Sequence, residues 1–556
     1  MMKIYRIVSQ LHTLIMLAIL AALPSVAYGD MASDETARVC LIGLGDSLTH
    51  GTMDGTNNIL NTKNAYLQKI AESLSSVLPL HFSQPFYGFH EQRLRPLMIP
   101  TNLGIDGSDV FSLEGIEYYK RVGAEESYGT DAYLCNSQNP RQFQDDYDKV
   151  MYPLNLVSGK PLSQLDASLT LLSSHAIENS MAMALVFVWI GNNDSSLAAL
   201  GTGGANPSFI PLPLDAISKE ISPALRTFLD TGRSQGLISF EPYTPEAINR
   251  NLTEVNDFAN QFNHALFRLN SENGMPKNQT AIFVLTLPYY SAVGYLFDSD
   301  DIEFYLQQIN PEYRVPQTFN RVVEAGQIIT DALKGDRVSL FTFASMYALM
   351  ISGYSIDQVN AILEKDGIQQ DGLVMSEAEQ QTIMSRIDSF NQAIQSAADQ
   401  YDNVFLIDVG RYLNAALSGE VAVEIAGETI SRKWSRGNAF SLDGVHPAYT
   451  GQALIGNYIL ERINGLYDIQ APLFNLEEIL ASDPYVDRDG DGWVPGPCYP
   501  NSGLTELLFM FTDPNDQDPS VKGVLPSNFW ERMSRILLKE LIGQPSLASL
   551  GQIPAH

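Results

Sequence analysis

Four short stretches of the chain are apolar almost without interruption: VCLIGL (39–44), ALVFVWI (184–190), AIFVLTL (281–287) and NVFLIDV (403–409). None alternates with period two, and each gives way to Gly or Pro. That is the pattern of short parallel strands covered by helices on both faces. The intervals carry helical periodicity instead. NAYLQKIAESL (64–74) puts Tyr66, Ile70 and Leu74 on one stripe. The segment 244–270 opens with Thr244 as a cap and Pro245 at the first helical position. The segment 376–401 opens with a capping box, Ser376 with Glu379. Strands alternating with helices predict an α/β sandwich around a mostly parallel sheet.

The pattern fails in three places. Residues 111–180 are polar, rich in Tyr, Asp and Gln, and poorly periodic. Residues 196–243 open with LAALGTGGANPSFIPLPLD, whose Gly and Pro density reads as a long surface loop. Both read as insertions in a main domain spanning 30–470. After about residue 470 the composition shifts to an Asp- and Pro-rich C-terminal extension, 471–556. No fixed-period repeat occurs.

The N-terminus has its own logic. Lys3 and Arg6 precede the apolar run Leu11–Leu23, and PSVAYGD follows with small residues at Ala27 and Gly29. This is the layout of a secretory signal over 1–29, with cleavage before Asp30. No later run reaches the ~18–20 apolar residues of a membrane helix. The expectation is an exported protein, extracellular or periplasmic, with no transmembrane segment once the signal is removed.

Composition narrows the partners. The formal net charge is -30, from 64 acidic against 34 basic side chains. Such a surface repels phosphate backbones, which argues against nucleic acid. With 45% hydrophobic residues the chain can build a sizeable core. Three cysteines do not make a disulfide scaffold. Cys40 falls inside an apolar strand and reads as a small core residue, while pairing of Cys135 with Cys498 stays open.

Ser47 stands where the first apolar run ends, in VCLIGLGDSLTHG. A serine hydroxyl becomes a nucleophile only with a base to take its proton and donors to hold the developing oxyanion. Alone, Gly-Asp-Ser reads equally as a helix N-cap. Three further stretches change that. NLGIDGSDV (102–110) is a Gly-rich turn whose Gly107 can bring a backbone N–H close to a ligand. WIGNNDSS (189–196) brings Asn193 to the sheet edge from which Ser47 emerges. SLDGVHPAYTGQ (441–452) offers Asp443 and His446, a spacing that lets a carboxylate hold one imidazole nitrogen while the other faces a hydroxyl. His50 is a rival base by proximity, although its nearness in sequence points it along the following helix.

In this order, GDSLTHG (45–51), GIDGSDV (104–110), GNND (191–194) and DGVHP (443–447) resemble the conserved blocks of the GDSL family, the SGNH hydrolases. The resemblance implies a flavodoxin-like three-layer α/β/α sandwich. It implies Ser47 as nucleophile, His446 as general base and Asp443 as its orienter. The oxyanion hole would be the Ser47 and Gly107 N–H groups with the Asn193 amide. The implied reaction is ester hydrolysis through an acyl-enzyme, with no cofactor for catalysis and a small-molecule, lipid or acetylated-saccharide ester as substrate. The G-x-S-x-G elbow of α/β-hydrolases is absent around Ser47. The long insertions leave the substrate open.

The extension adds one more motif. Asp487, Asp489 and Asp491, followed by Gly492, match the first half of an EF-hand-type calcium loop, with Cys498 where a bidentate carboxylate would stand. TDPNDQDP (512–519) can supply further oxygens. A structural calcium or an acidic solvated turn both fit. Two other functions follow from these features. One is a polysaccharide O-acetylesterase; Tyr118, Tyr119, Tyr128 and Tyr133 read equally as sugar-stacking residues and as core. The other is a calcium-dependent cell-surface binding protein on a hydrolase fold.

Overall fold

The computed structural model describes residues 38–550 apart from 117, 119–133, 138–144, 179–180, 202–210, 241, 322, 325–326, 329–333, 365–369, 499–503, 524, 544–546 and 548–549. The signal-like segment 1–29 and Tyr119, Tyr128 and Tyr133 therefore lie outside the described residues.

All four apolar runs are strands of one parallel sheet. They are β1 (Arg38–Gly45), β3 (Met181–Trp189), β4 (Thr280–Leu285) and β5 (Val404–Ile407), joined by the two-residue β2 (Leu80–His81). The strand order is β2-β1-β3-β4-β5, and every pair runs parallel. The chain thus reverses its direction of travel across the sheet between β1 and β3. At such a switch point neighbouring connections diverge and leave a crevice at the carboxyl edge. Gly45 opposes Trp189 in the register, and a Cβ at Gly45 would collide with the Trp189 carbonyl and with Thr49. Glycine is required there so that the loop after β1 can turn against β3.

Eight helices matter for the site: α1 (Ser47–His50), α2 (Tyr66–Ser75), α3 (Gln164–Glu178), α4 (Asn193–Leu200), α5 (Val255–Ser271), α6 (Glu377–Ala398), α7 (Tyr449–Tyr467) and α8 (Leu504–Leu508). Tyr66, Ile70 and Leu74 of α2 are wholly buried, as the stripe predicts, and α2 packs on α7. Phe187, Phe283 and Phe405 run across neighbouring strands, with Tyr467 of α7 packed edge-on against Phe283. Helix α5 packs on α6, where Phe258 stacks on Phe390 with centroids 4.2 Å apart. The capping box that starts α6 is formed, with Glu379 N–H donating to Ser376 Oγ at 3.3 Å and Ser376 N–H to Glu379 Oε2 at 2.7 Å.

Three expectations are corrected. The helix expected over 244–270 is two, Pro245–Arg250 and α5, because the Thr253 N–H leaves the helical ladder to donate to the Asp194 carbonyl at 3.0 Å. The stretch 111–180 is not all insertion, since α3 packs against β1 and β3. Residues 211–217 are not surface loop: Leu212, Leu214 and Ile217 are buried, and a helix follows at Pro223–Ser234. Cys40 is buried in β1 as expected. Cys135 is buried and Cys498 exposed, and the two are unpaired.

Residues beyond 470 are knitted into the same body. Trp493 is fully buried against Trp434, Tyr305, Tyr347 and Phe511. Tyr485 donates its hydroxyl to Asp54 at 2.5 Å, and the Thr450 N–H donates to Asp483 at 2.7 Å. Among the described residues no helix is long and apolar enough to cross a membrane.

Removing a fully buried tryptophan leaves a cavity between four aromatic residues. Trp493→Ala is expected to cost about 3–5 kcal/mol and to lower the denaturant midpoint of the main sheet, not of the tail alone. An unfolding midpoint for the sheet equal to wild type would show that the tail is energetically separate.

Candidate active site

The loop after β1 turns at once into α1, with Asp46 as N-cap and Ser47 as first helical residue. Asp46 accepts from the Leu48 N–H at 3.0 Å and from the Asn192 amide at 2.9 Å. The first N–H groups of a helix have no intrahelical acceptor, so the Ser47 N–H is left to face outwards. Burial pushes the Asp46 carboxyl up to about 6, against the pull of Asn192. Asn192 therefore fixes the helix that carries Ser47 to the end of β3.

Ser47, Asp443 and His446 come together as a relay. His446 Nε2 lies 2.9 Å from Ser47 Oγ, and His446 Nδ1 lies 2.6 Å from Asp443 Oδ2. With Nδ1–H donating to Asp443, a neutral imidazole leaves Nε2 to accept the serine proton. Asp443 is itself immobilised. Its Oδ1 accepts from the Val445 and His446 N–H groups at 2.8 and 2.9 Å, and its Oδ2 from the Gly55 N–H at 3.0 Å. Burial opposes its charge, but His446 and these donors outweigh burial and hold it below the ordinary carboxylate range. Asp54, buried beside it, accepts from the Leu442 N–H at 2.7 Å and so clamps the histidine loop from behind.

Gly107 stands at φ 72° on an exposed turn, the left-handed region in which glycine is favoured. Asn193 donates from Nδ2 to the Ser108 carbonyl at 2.9 Å, which spends one of its two amide hydrogens and aims the group at the Gly107 turn. Ser47, Gly107, Asn193, Asp443 and His446 all line one cleft of about 310 Å³. Its remaining walls are largely apolar and include Leu200, Val293, Leu340, Phe341, Leu507 and Leu508.

Some contributors were not expected from the sequence. Gln164, at the start of α3, accepts from the Gly45 N–H at 3.0 Å and donates to Ser108 Oγ at 3.0 Å. It ties the strand that leads to Ser47 to the glycine turn, yet it lies in a stretch whose weak periodicity hid its helix. Asp46 and Asn192 had a signal, since each directly precedes a proposed site residue. Leu507 and Leu508 had none.

His50 does not reach the site. It is buried against Tyr87, with Nδ1 3.3 Å from Asp106, and is absent from the cleft wall. Asp106 instead gathers hydrogen bonds from Thr52 at 2.7 Å and Asn57 at 2.9 Å. Burial raises it, but these donors and His50 hold it at about 2. Tyr118, which read equally as a sugar platform and as core, is core: it is buried, stacked on Phe111, and donates to Asp257 at 2.8 Å. In the extension, Asp487, Asp489 and Asp491 do converge, with carboxylate oxygens within 4.8 Å of one another.

No protein-family model matches the chain, and no curated protein sequence matches it.

Burial alone would discharge His446, but Asp443, then Asp106 and Asp46, raise it from 6.5 to about 9. An NMR titration of the imidazole is expected to give a midpoint near 9 in the wild-type protein, and a lower one in Asp443→Asn. A midpoint near 6.5 in both would mean that Asp443 does not govern the ring.

Proposed function

We propose that the protein is a serine hydrolase of carboxylic esters, an esterase or lipase of the SGNH type. The observation that carries this reading is the Ser47–His446–Asp443 relay, at 2.9 and 2.6 Å, opening on a cleft that Gly107 and Asn193 share. Ser47 Oγ attacks the ester carbonyl carbon while His446 Nε2 takes its proton, and Asp443 stabilises the imidazolium. The oxyanion is met by the Ser47 and Gly107 N–H groups and the free Asn193 amide hydrogen. His446 returns the proton to the leaving alkoxide as the carbon–oxygen bond breaks. Water then attacks the acyl-enzyme by the same route and releases the acid and Ser47. No step calls for a cofactor.

The strand order and the two helix pairs, α2 with α7 and α5 with α6, support a three-layer α/β/α sandwich as the scaffold. The layout of residues 1–29 supports an exported enzyme, extracellular or periplasmic; N-terminal sequencing of the exported protein should begin at Asp30, and a retained Met1 would refute it. The apolar wall favours acyl groups longer than acetyl over acetylated polysaccharide, the more so because Tyr118 is withdrawn into the core.

A graded series of p-nitrophenyl esters beside an acetylated polysaccharide tests the reading. Hydrolysis should peak at medium acyl chains and rise with pH as His446 loses its proton on the approach to about 9. Ser47→Ala should lose ~10³-fold or more in kcat, and Asn193→Ala about 10²–10³-fold with little change in KM. Full activity in purified Ser47→Ala would end the assignment, and a rise in KM alone for Asn193→Ala would remove that residue from the oxyanion hole.

A further inference from the structure

The loop Asp487–Asp491 does not stand alone. Asp489 also lies in a second group with Asp513 and Asp516, again with carboxylate oxygens within 4.8 Å of one another. Five carboxylates from two separate loops therefore crowd around Asp489. Within that crowd Asp487, Asp489, Asp491 and Asp513 are each fixed by a local backbone donor, and Asp516 by the Arg488 N–H of the other loop. Asp491 Oδ1 accepts from the Trp493 N–H at 2.9 Å, and Asp513 Oδ1 from the Asn515 N–H at 2.9 Å. Their other oxygens are stranded. Asp491 and Asp513 are only 6% and 3% exposed, and the Oδ2 atoms of Asp489, Asp491 and Asp513 have no hydrogen-bond partner among the described residues.

A buried, unpartnered carboxylate oxygen is costly, and several facing each other are costlier still. The chain solves this problem differently elsewhere. Asp298, Asp300 and Asp301 form a cluster of the same kind, and there Arg432, Lys433 and Arg436 supply the compensating charge. Around Asp489 the matching protein cation is Arg488, which is taken up by Asp516 at 2.8 Å.

We propose that these two loops hold a calcium ion, ligated by Asp489 and Asp491 from one loop and Asp513 from the other, and that the ion fixes a wall of the substrate cleft. Asp489, Asp491 and Asp513, each able to bind with one or two oxygens, suit the six to eight oxygen ligands of calcium better than the tight octahedron of magnesium. The second loop follows α8 directly. Phe511 stacks on Trp493 beside the first loop, the Asp513 N–H donates to the Val494 carbonyl at 2.8 Å, and Leu507 and Leu508 of α8 line the cleft. An ion clamping the loops together thus sets where these two leucines stand. The effect on the cleft rests on the ester-hydrolase reading; the ion site does not.

The test separates the two. Calcium titrated by calorimetry into the chelator-treated full chain should bind, and should raise the melting temperature by about 2 °C at hundredfold excess over Kd. Magnesium should do neither at equal concentration. Asp489→Asn should weaken calcium at least tenfold, whereas Asp518→Asn, outside both groups, should not. Absence of calcium heat and of any melting shift in the wild-type protein would overturn the site, whether or not esters are hydrolysed. For the cleft, chelation should reduce kcat/KM on a p-nitrophenyl decanoate at least tenfold more than on the acetate. Binding of calcium with an unchanged ratio between the two esters would overturn the coupling and leave the site. A protein that hydrolyses neither ester would fail the ester-hydrolase reading, and the calorimetry would still decide the ion.

Discussion

A hydrogen bond between Ser47 Oγ and His446 Nε2 joins two side chains 399 positions apart, and the rest of the site is arranged so that it can form. The serine is carried out of the sheet by β1 and stopped one residue later by the Asp46 cap. The histidine arrives on a turn closed by the antiparallel bridge between Phe440 and Pro447, just before α7 begins. That loop is held by Asp443 and Asp54, which between them accept from the backbone of Leu442, Val445 and His446. Asp443 also places negative charge next to the imidazole, so it contributes to both positioning and basicity. With Asp106 and Asp46 it raises the histidine above its ordinary range.

The donors opposite the histidine are held by a second, independent network. Gln164 bridges the end of β1 to Ser108, Asn193 donates to the Ser108 carbonyl, and Asn192 holds Asp46. The segments that carry the proposed oxyanion hole are therefore tied together by hydrogen bonds, buried at Gln164 and Asn192 and part-buried at Asn193. Such bonds are individually modest, but leaving any one donor or acceptor unpaired at this depth costs more than the bond contributes. The network is thus sensitive to its weakest member and defines a single geometry.

The C-terminal residues take part in the same body. Trp493 fills the centre of an aromatic cluster that includes Trp434, whose indole N–H donates to the Leu442 carbonyl at 2.8 Å, next to Asp443. Through that bond the tail backs the histidine loop, and through Leu507 and Leu508 it lines the cleft. The tail's carboxylates and the salt-bridged set at Asp298–Asp301 show two answers to the same repulsion, one with protein cations and one left to an external ion in our proposal.

Local pattern alone was enough for the four long strands, the α2 stripe and the α6 capping box. In each of these the burying face or the cap lies within a few residues of sequence, so short-range periodicity carries the information. The short motifs also brought out Ser47, Gly107, Asn193, Asp443 and His446, because a strand end, a glycine turn and an Asp-His spacing are themselves local. Tertiary structure decided what periodicity cannot encode. It broke the helix after Pro245, since a carbonyl of α4 offered Thr253 a better partner than the helix did. It made a core helix of Gln164–Glu178 and a buried segment of 211–217, where contact with distant strands outweighs weak amphipathic patterning. It turned His50 and Tyr118 inward, chose Asp46, Asn192 and Gln164 as supports, and brought Asp513 to Asp489 and Leu507 to Ser47. Those pairings depend on which surfaces meet once the sheet has formed, and no window of neighbouring residues contains that choice.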